Sequence, residues 1–133
     1  MKEREFIAAV QRGAGLPTRK EAMRWSTAVA AALVDLAPDA EARRKLVTEL
    51  PGFLKSPLRE RAPHTLAMDA EALIQHIGAT LDLHAPDARR ALLAVWGVMR
   101  RAVSPGEIAA FEARVPRTVA TLLETAHEMK PGR

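Results

Sequence analysis

Residues 86–107 read Pro86-Asp87-Ala88-Arg89-Arg90-Ala91-Leu92-Leu93-Ala94-Val95-Trp96-Gly97-Val98-Met99-Arg100-Arg101-Ala102-Val103, then Ser104-Pro105-Gly106-Glu107. Leu92, Val95, Trp96, Met99 and Val103 recur at three- and four-residue steps, the period of one face of an α-helix. A proline near the start suits the first turn, where no amide hydrogen bond is lost. Ser104 and Glu107 have the spacing of a capping box that opens the next helix. One long amphipathic helix, bounded on both sides, therefore organises the second half of the chain.

The same reading extends in both directions. Phe6, Ile7 and Val10 face inward on a helix over Lys2 to Gly13, which Gly13 and Gly15 stop. Thr18-Arg19-Lys20-Glu21 predicts a capping box before the stripe Ala22, Trp25, Val29, Ala32, Leu33 and Leu36. Pro38 ends that helix. Asp39 caps the next, with Leu46, Val47 and Leu50 inward, and Pro51 opens a short helix carrying Phe53 and Leu54. Residues 55–69 are expected to form a connector with little regular structure. Asp69 then caps a helix with Leu73, Ile77 and Leu81 inward. Beyond the long helix come Ile108, Phe111 and Val115, and after Pro116 the face Val119, Leu122, Leu123 and Ala126. Lys130 to Arg133 are expected to fray.

The two halves share this pattern. Phe6, Ile7, Val10, Leu16, Val29 and Leu36 match Leu73, Ile74, Ile77, Leu83, Trp96 and Val103 at a separation of 67. Leu46, Leu50 and Pro51 match Phe111, Val115 and Pro116 at 65. The expected fold is all-α. Two pseudo-repeated units of three to four helices, 3–54 and 70–127, pack into one domain spanning 1–133.

This layout resembles a bacterial family known as domain of unknown function 2267. The resemblance rests on Phe6 to Val10, Leu16, the helix from Ala22 to Leu36, and Glu49-Leu50-Pro51. In the second half it rests on Leu73 to Ile77, Leu81 to Leu83, the helix from Leu92 to Val103, Ser104-Pro105-Gly106-Glu107 and Val115-Pro116. It implies two copies of a small three-helix unit, each ending in an apolar-proline step before a last short helix. It implies no activity. Pro51-Gly52 departs from the acidic or polar turn more usual there.

Composition narrows the function. The chain has 133 residues, enough to bury a core without a metal or disulfide. There is no cysteine, which excludes disulfide scaffolds, thiolate zinc sites and thiol catalysis. The longest apolar run, Ala28 to Val34, is too short to span a bilayer, and no stretch at the start has signal-peptide length. A cytoplasmic protein without a membrane role is expected. The net charge is +4. Residues 1–67 hold 12 basic and 8 acidic groups, and residues 68–133 hold 8 of each.

Catalytic patterns are weak. Glu124-Thr125-Ala126-His127 has Glu-x-x-His spacing, but a di-iron bundle needs a second such motif and two further carboxylates. Asp82-Leu83-His84 precedes Pro86 and reads as local chemistry at a helix start. His64 and His76 stand alone. Gly13-Ala14-Gly15 is too short to cradle a phosphate. No cofactor or metal is expected, and no small-molecule substrate is identified. Trp25 and Trp96 lie in apolar stripes and read as core. What remains is cationic: Arg43-Arg44-Lys45, Arg89-Arg90 and Arg100-Arg101. On an α-helix, residues 11 apart fall almost in line, about 16 Å along the axis. Arg89 pairs in this way with Arg100, and Arg90 with Arg101. With Ala94 and Gly97 between them, Arg90 and Arg101 are expected to flank a low surface facing a phosphate backbone or an acidic partner. The expected function is a non-enzymatic interaction or scaffold protein with a protein partner or self-association. Nucleic-acid binding through a helix-turn-helix-like unit and the arginine-rich face is the alternative.

Overall fold

The computed structural model describes residues 1–61 and 67–128, with side chains described up to Ala126. Eight α-helices and no strand occur among the described residues. They are α1 (Glu3–Ala14), α2 (Arg19–Val34), α3 (Ala40–Thr48), α4 (Gly52–Glu60), α5 (Ala70–Leu81), α6 (Ala85–Ala102), α7 (Pro105–Arg114) and α8 (Arg117–Glu124), with a 3₁₀ turn at Thr125–Glu128. His64 and the rest of 62–66 lie outside the described residues, as do Lys130 to Arg133 and the His127 side chain.

α6 is the centre. Ala88, every residue from Ala91 to Trp96, Val98 and Met99 are buried on it. Between Ala91 and Met99 only Gly97 is not buried, so the middle of α6 lies inside the bundle while both ends carry exposed charges. α5 packs on α6 and α1 on α2, and the two pairs meet through α1 on α6, α2 on α5 and α2 on α6. α3 packs on α4 and α7, α4 packs on α2, and α8 packs on α5. The stripes expected to be inward are inward: Phe6, Ile7, Val10, Val29, Leu33, Leu73, Leu92, Val95, Trp96 and Met99 are all fully buried.

Local chemistry sets the ends. Asp39 and Asp69 each cap their helix by accepting the N–H three residues on, both at 2.8 Å. α1 and α5 end in the same turn. The caps, Gly15 and Asp82, have φ of 65° and 57°, and Leu16 and Leu83 each donate an N–H to the carbonyl five residues back at 2.9 Å. That is a left-handed cap with a Schellman bond. Gly78 is required beneath it, since a Cβ there would stand 2.7 Å from the Leu83 carbonyl oxygen. Arg24 of α2 donates both terminal nitrogens to the Leu81 carbonyl at 3.3 Å, so a side chain of the first half satisfies an orphan carbonyl at the end of α5.

Three expectations are corrected. The stretch 55–69 is not irregular throughout, because α4 continues to Glu60 with Pro57 inside it. Leu54 and Leu58, four apart, are both buried, and that burial offsets an interior proline. The capping box at Thr18 forms by half: Thr18 Oγ1 accepts the Glu21 N–H at 3.2 Å, but the Glu21 carboxylate turns to Arg24. The box at Ser104 does not form. Its backbone N–H and Oγ–H donate instead to the two carboxylate oxygens of Glu49, each at 3.0 Å.

Candidate interaction surfaces

The cations expected to form one face have separate environments. Arg43 is drawn inward: its guanidinium donates to Asp35, a carboxylate 2% exposed, and Arg61 donates to the other oxygen at 2.9 Å. Two guanidiniums share one buried carboxylate because a lone charge there carries a large desolvation penalty. Lys45 pairs with Glu41 on its own helix at 3.4 Å. Arg44 is exposed and makes no side-chain bond to a described residue. On α6, Arg90 pairs with Asp87 at 3.4 Å and lies 5.4 Å from the centre of the Trp25 ring. Arg100 is half-buried, and its Nε finds no hydrogen-bond partner among the described residues. Arg101 is exposed.

The low surface expected between Arg90 and Arg101 is partly covered. Ala94 is buried, and Gly13 of α1 approaches it closely enough that a Cβ on Gly13 would sit 3.9 Å from the Ala94 Cβ. The small residues there let α1 cross α6. Ala94 serves packing, whereas Gly97 is half-buried with nothing within 4 Å of a Cβ built on it, so the stretch between the two arginines is covered at Ala94 and open at Gly97.

Arg89 points elsewhere, into a groove of about 500 Å³. Its walls are α5, through Ala70, Glu71, Ile74 and Gln75, and α8, through Thr118, Thr121 and Leu122. Ala85 and Arg89 of α6, with Thr125, close one end. The floor is apolar, from Ile74 and Leu122. Thr118 Oγ1 accepts the Ala70 N–H at 3.0 Å and pins the starts of α5 and α8 together. Glu71, Gln75, Arg89 and Thr121 make no hydrogen bond or ion pair with a described residue. All four are exposed, so water can satisfy them.

Of this groove, the sequence reading picked out Arg89 alone. Thr118, Thr121 and Thr125 follow helical steps on the polar side of α8, and Glu71 and Gln75 are four apart on α5. That spacing is ordinary for solvated faces and does not announce a site. At the sequence separation of 65 noted above, Thr118 aligns with Phe53.

His76 is half-buried on α5, and Asp82 serves as the left-handed cap of that helix. Among the described residues, no group of three or more acidic or histidine side chains is arranged to hold a metal ion. No helix of the described residues is long and apolar enough to cross a membrane.

Two crossed helical hairpins with short helices on their flanks, open at one groove, define a small all-α domain. The chain belongs to the family described as an uncharacterised conserved protein, DUF2267, whose profile matches residues 3–122. This is the family that the two apolar-proline steps resemble. A comparison with curated proteins finds no match.

Proposed function

We propose that this protein is a non-enzymatic, cytoplasmic interaction module built from a duplicated helical unit, and that its second copy carries the docking groove. The duplication is supported by helix lengths of 12, 16, 9 and 9 residues followed by 12, 18, 10 and 8. It is also supported by the matching turns at Gly15 and Asp82, 67 residues apart, and by burial phase. Phe6, Val10 and Ala14 are buried in α1 as Leu73, Ile77 and Leu81 are in α5. Leu54 and Leu58 are buried in α4 as Val119 and Leu123 are in α8.

The observation that carries the reading is a departure from this parallel. In the first half, Phe53 stands edge-on to Phe6 with ring centres 5.6 Å apart, and Ile7 is 0% exposed. In the second half Thr118 takes the place of Phe53, and Ile74, the counterpart of Ile7, is only half-buried. Thr118 has a folding role of its own, accepting the Ala70 N–H, but that bond leaves Ile74 half-buried, and a partner seated on the groove would complete its burial.

Thr118→Phe tests this. The substitution fills the groove but also removes the hydroxyl bond to the Ala70 N–H, so Thr118→Val, which removes that bond without filling the groove, is its control. A partner recovered from nuclease-treated extract by the wild type and by Thr118→Val, identified by mass spectrometry and lost with Thr118→Phe, is the expected result. Should the occupant be a second copy of the chain, light scattering reports a dimer for the wild type and a monomer for the variant. Equal recovery and equal mass for both proteins would place docking elsewhere.

A second reading has its own observation. The Glu49 bond to Ser104 brings the end of α3 to the start of α7, so Arg44 and Arg101 lie near one junction, both exposed. Neither side chain has a partner among the described residues. Such a pair suits a polyanion. Binding to nonspecific DNA that weakens with salt, and whose salt slope falls in Arg44→Ala with Arg101→Ala, would favour nucleic acid over protein as the ligand.

A further inference from the structure

The contacts between the two halves come in mated pairs. At the separation of 67, α5 is the counterpart of α1 and α6 that of α2. α1 packs on α6, and the mate of that contact, α2 on α5, is also made. α2 touches its own counterpart α6, and α3 touches its own counterpart α7. Repeats stacked head to tail join two different faces, so α2 on α5 would not bring α1 on α6 with it. Two units about a two-fold axis offer each other the same face, and each contact then comes with its mate.

The pairing holds at single residues. At the end of α1, a Cβ built on Gly13 stands 3.9 Å from the Cβ of Ala94, the counterpart of Thr27. At the end of α5, the carbonyl of Leu81, the counterpart of Ala14, accepts both terminal nitrogens of Arg24 at 3.3 Å. Each half therefore lays the last turn of its first helix on the second helix of the other half, within one helical turn of the same position. Where α2 meets α6, the Arg90 guanidinium lies 5.4 Å from the centre of the Trp25 ring. Arg90 is the counterpart of Met23, so the two helices meet at nearly the same position of each. A helix lying against its own mate on a two-fold axis does the same.

We infer that the two halves are a homodimer fused into one chain, held by a pseudo-two-fold interface, and that this interface accepts a second copy of the chain as partner by exchange of halves. The inference rests on the duplicated unit proposed above and owes nothing to the groove. Exchange needs no new contact, because the same helix pairs form again between chains. Only the link between α4 and α5 makes the halves of one chain meet first. A short link sets an effective concentration of about a millimolar, so a second copy competes once the halves have parted and the protein itself reaches that range.

The chain has no cysteine, so an introduced pair reports alone. A Cβ separation of 3.9 Å suits a disulfide. Gly13→Cys and Ala94→Cys are made in separate full-length chains, mixed, unfolded in urea, refolded together with reductant at about 1 mM and then oxidised. The expected product is a covalent dimer whose peptide map joins position 13 of one chain to position 94 of the other. Its yield should fall about tenfold or more when refolding is done at about 10 μM. Mixing without unfolding should give hardly any, because Ala94 is 6% exposed. A chain carrying both substitutions, oxidised while folded and kept oxidised through urea, should refold as a monomer. The wild type refolded at about 1 mM should give a dimer by light scattering with unchanged helicity, which keeps the test open should a cysteine variant misfold. Failure of both the cross-link and the wild-type dimer overturns the inference. So does a dimer that lacks the link between positions 13 and 94, or one that the stapled chain still forms. A dimer that Thr118→Phe abolishes would belong to the groove, and the exchange reading would fall while the docking reading stood.

Discussion

Glu49, the residue that closes α3, caps α7 across 55 residues of chain: its carboxylate accepts both the backbone N–H and the hydroxyl of Ser104. A carboxylate at a helix start satisfies an orphan amide and meets the positive end of the helix dipole. Glu49→Ala should therefore lower stability by about 1–2 kcal/mol. Glu107 has capping-box spacing but no capping bond, so Glu107→Ala should stay within about 0.5 kcal/mol of wild type. Urea titration with an unchanged slope reads both values. Equal losses would mean that Glu107 caps α7 in solution.

Asp35 should be among the least replaceable polar residues. It ends α2, is almost wholly buried and receives guanidiniums from Arg43 of α3 and from Arg61 just beyond α4. Removing the carboxylate leaves Arg43, 12% exposed, without its counter-charge. Asp35→Ala should cost about 3–5 kcal/mol. Arg61→Ala, at the exposed end of the cluster, should cost about 1 kcal/mol or less. Thermal unfolding of both variants checks the contrast, and comparable losses would show that Arg61 is held as firmly as Arg43.

The turn from α5 to α6 carries a paired prediction. Asp82 holds a left-handed conformation that a side chain adopts at a cost of about 1–2 kcal/mol. Glycine adopts it freely, and Gly15 does so at the end of α1. Asp82→Gly should stabilise by about 0.5–1 kcal/mol, once the extra freedom of glycine in the unfolded chain is deducted. Gly78→Ala should have the opposite sign. Its Cβ would collide with the Leu83 backbone oxygen, and the turn must shift, at about 1–3 kcal/mol. Denaturation midpoints moving in opposite directions are the expected outcome.

Much of this fold was legible because helical burial is a local, repeating signal. Leu92, Val95, Trp96 and Met99 announce their face by spacing alone, and Asp39 and Asp69 announce their caps because donor and acceptor are three residues apart. What was not legible depends on partners distant in sequence. Nothing near Ser104 shows that Glu49 will reach it. Nothing near Ala94 shows that Gly13 will cover it, so a small-residue gap between two arginines reads as open surface. The end of α4 was hidden for another reason: Pro57 is a strong local stop, and only the burial of Leu54 with Leu58 overrides it. The groove was the hardest feature to read. Its polar lining matches any solvated helix face.

Trp96 measures the core. It is 0% exposed and packs on Phe111 with ring centres 5.4 Å apart, which joins α6 to α7. Trp96→Ala should cost about 3–5 kcal/mol, through lost burial and a large cavity. The Trp96 Nε1 has no hydrogen-bond partner among the described residues, so Trp96→Phe loses volume but no bond and should cost appreciably less. Chemical denaturation orders the three proteins. An Ala variant no weaker than the Phe variant would show that the site collapses around the smaller side chain.

Arg90 and Arg101 occupy the same line of α6 but should respond differently to removal. The Arg90 guanidinium stands over the Trp25 ring on α2 and pairs with Asp87, so it covers an indole that is 3% exposed. Arg101 has neither contact. Arg90→Ala should cost about 0.5–1 kcal/mol, the scale of a cation–π contact near the surface, and should shift the Trp25 emission as water reaches the ring. Arg101→Ala should be neutral within about 0.5 kcal/mol. Salt separates the components of the Arg90 effect. The Asp87 pair is screened at 1 M salt, where the Debye length is about 3 Å, whereas the apolar stem of Arg90 still shields the ring. Most of the Arg90→Ala loss should therefore persist in high salt. A loss that vanishes there would assign Arg90 to a surface ion pair alone, and would leave both arginines equally available to an anionic partner.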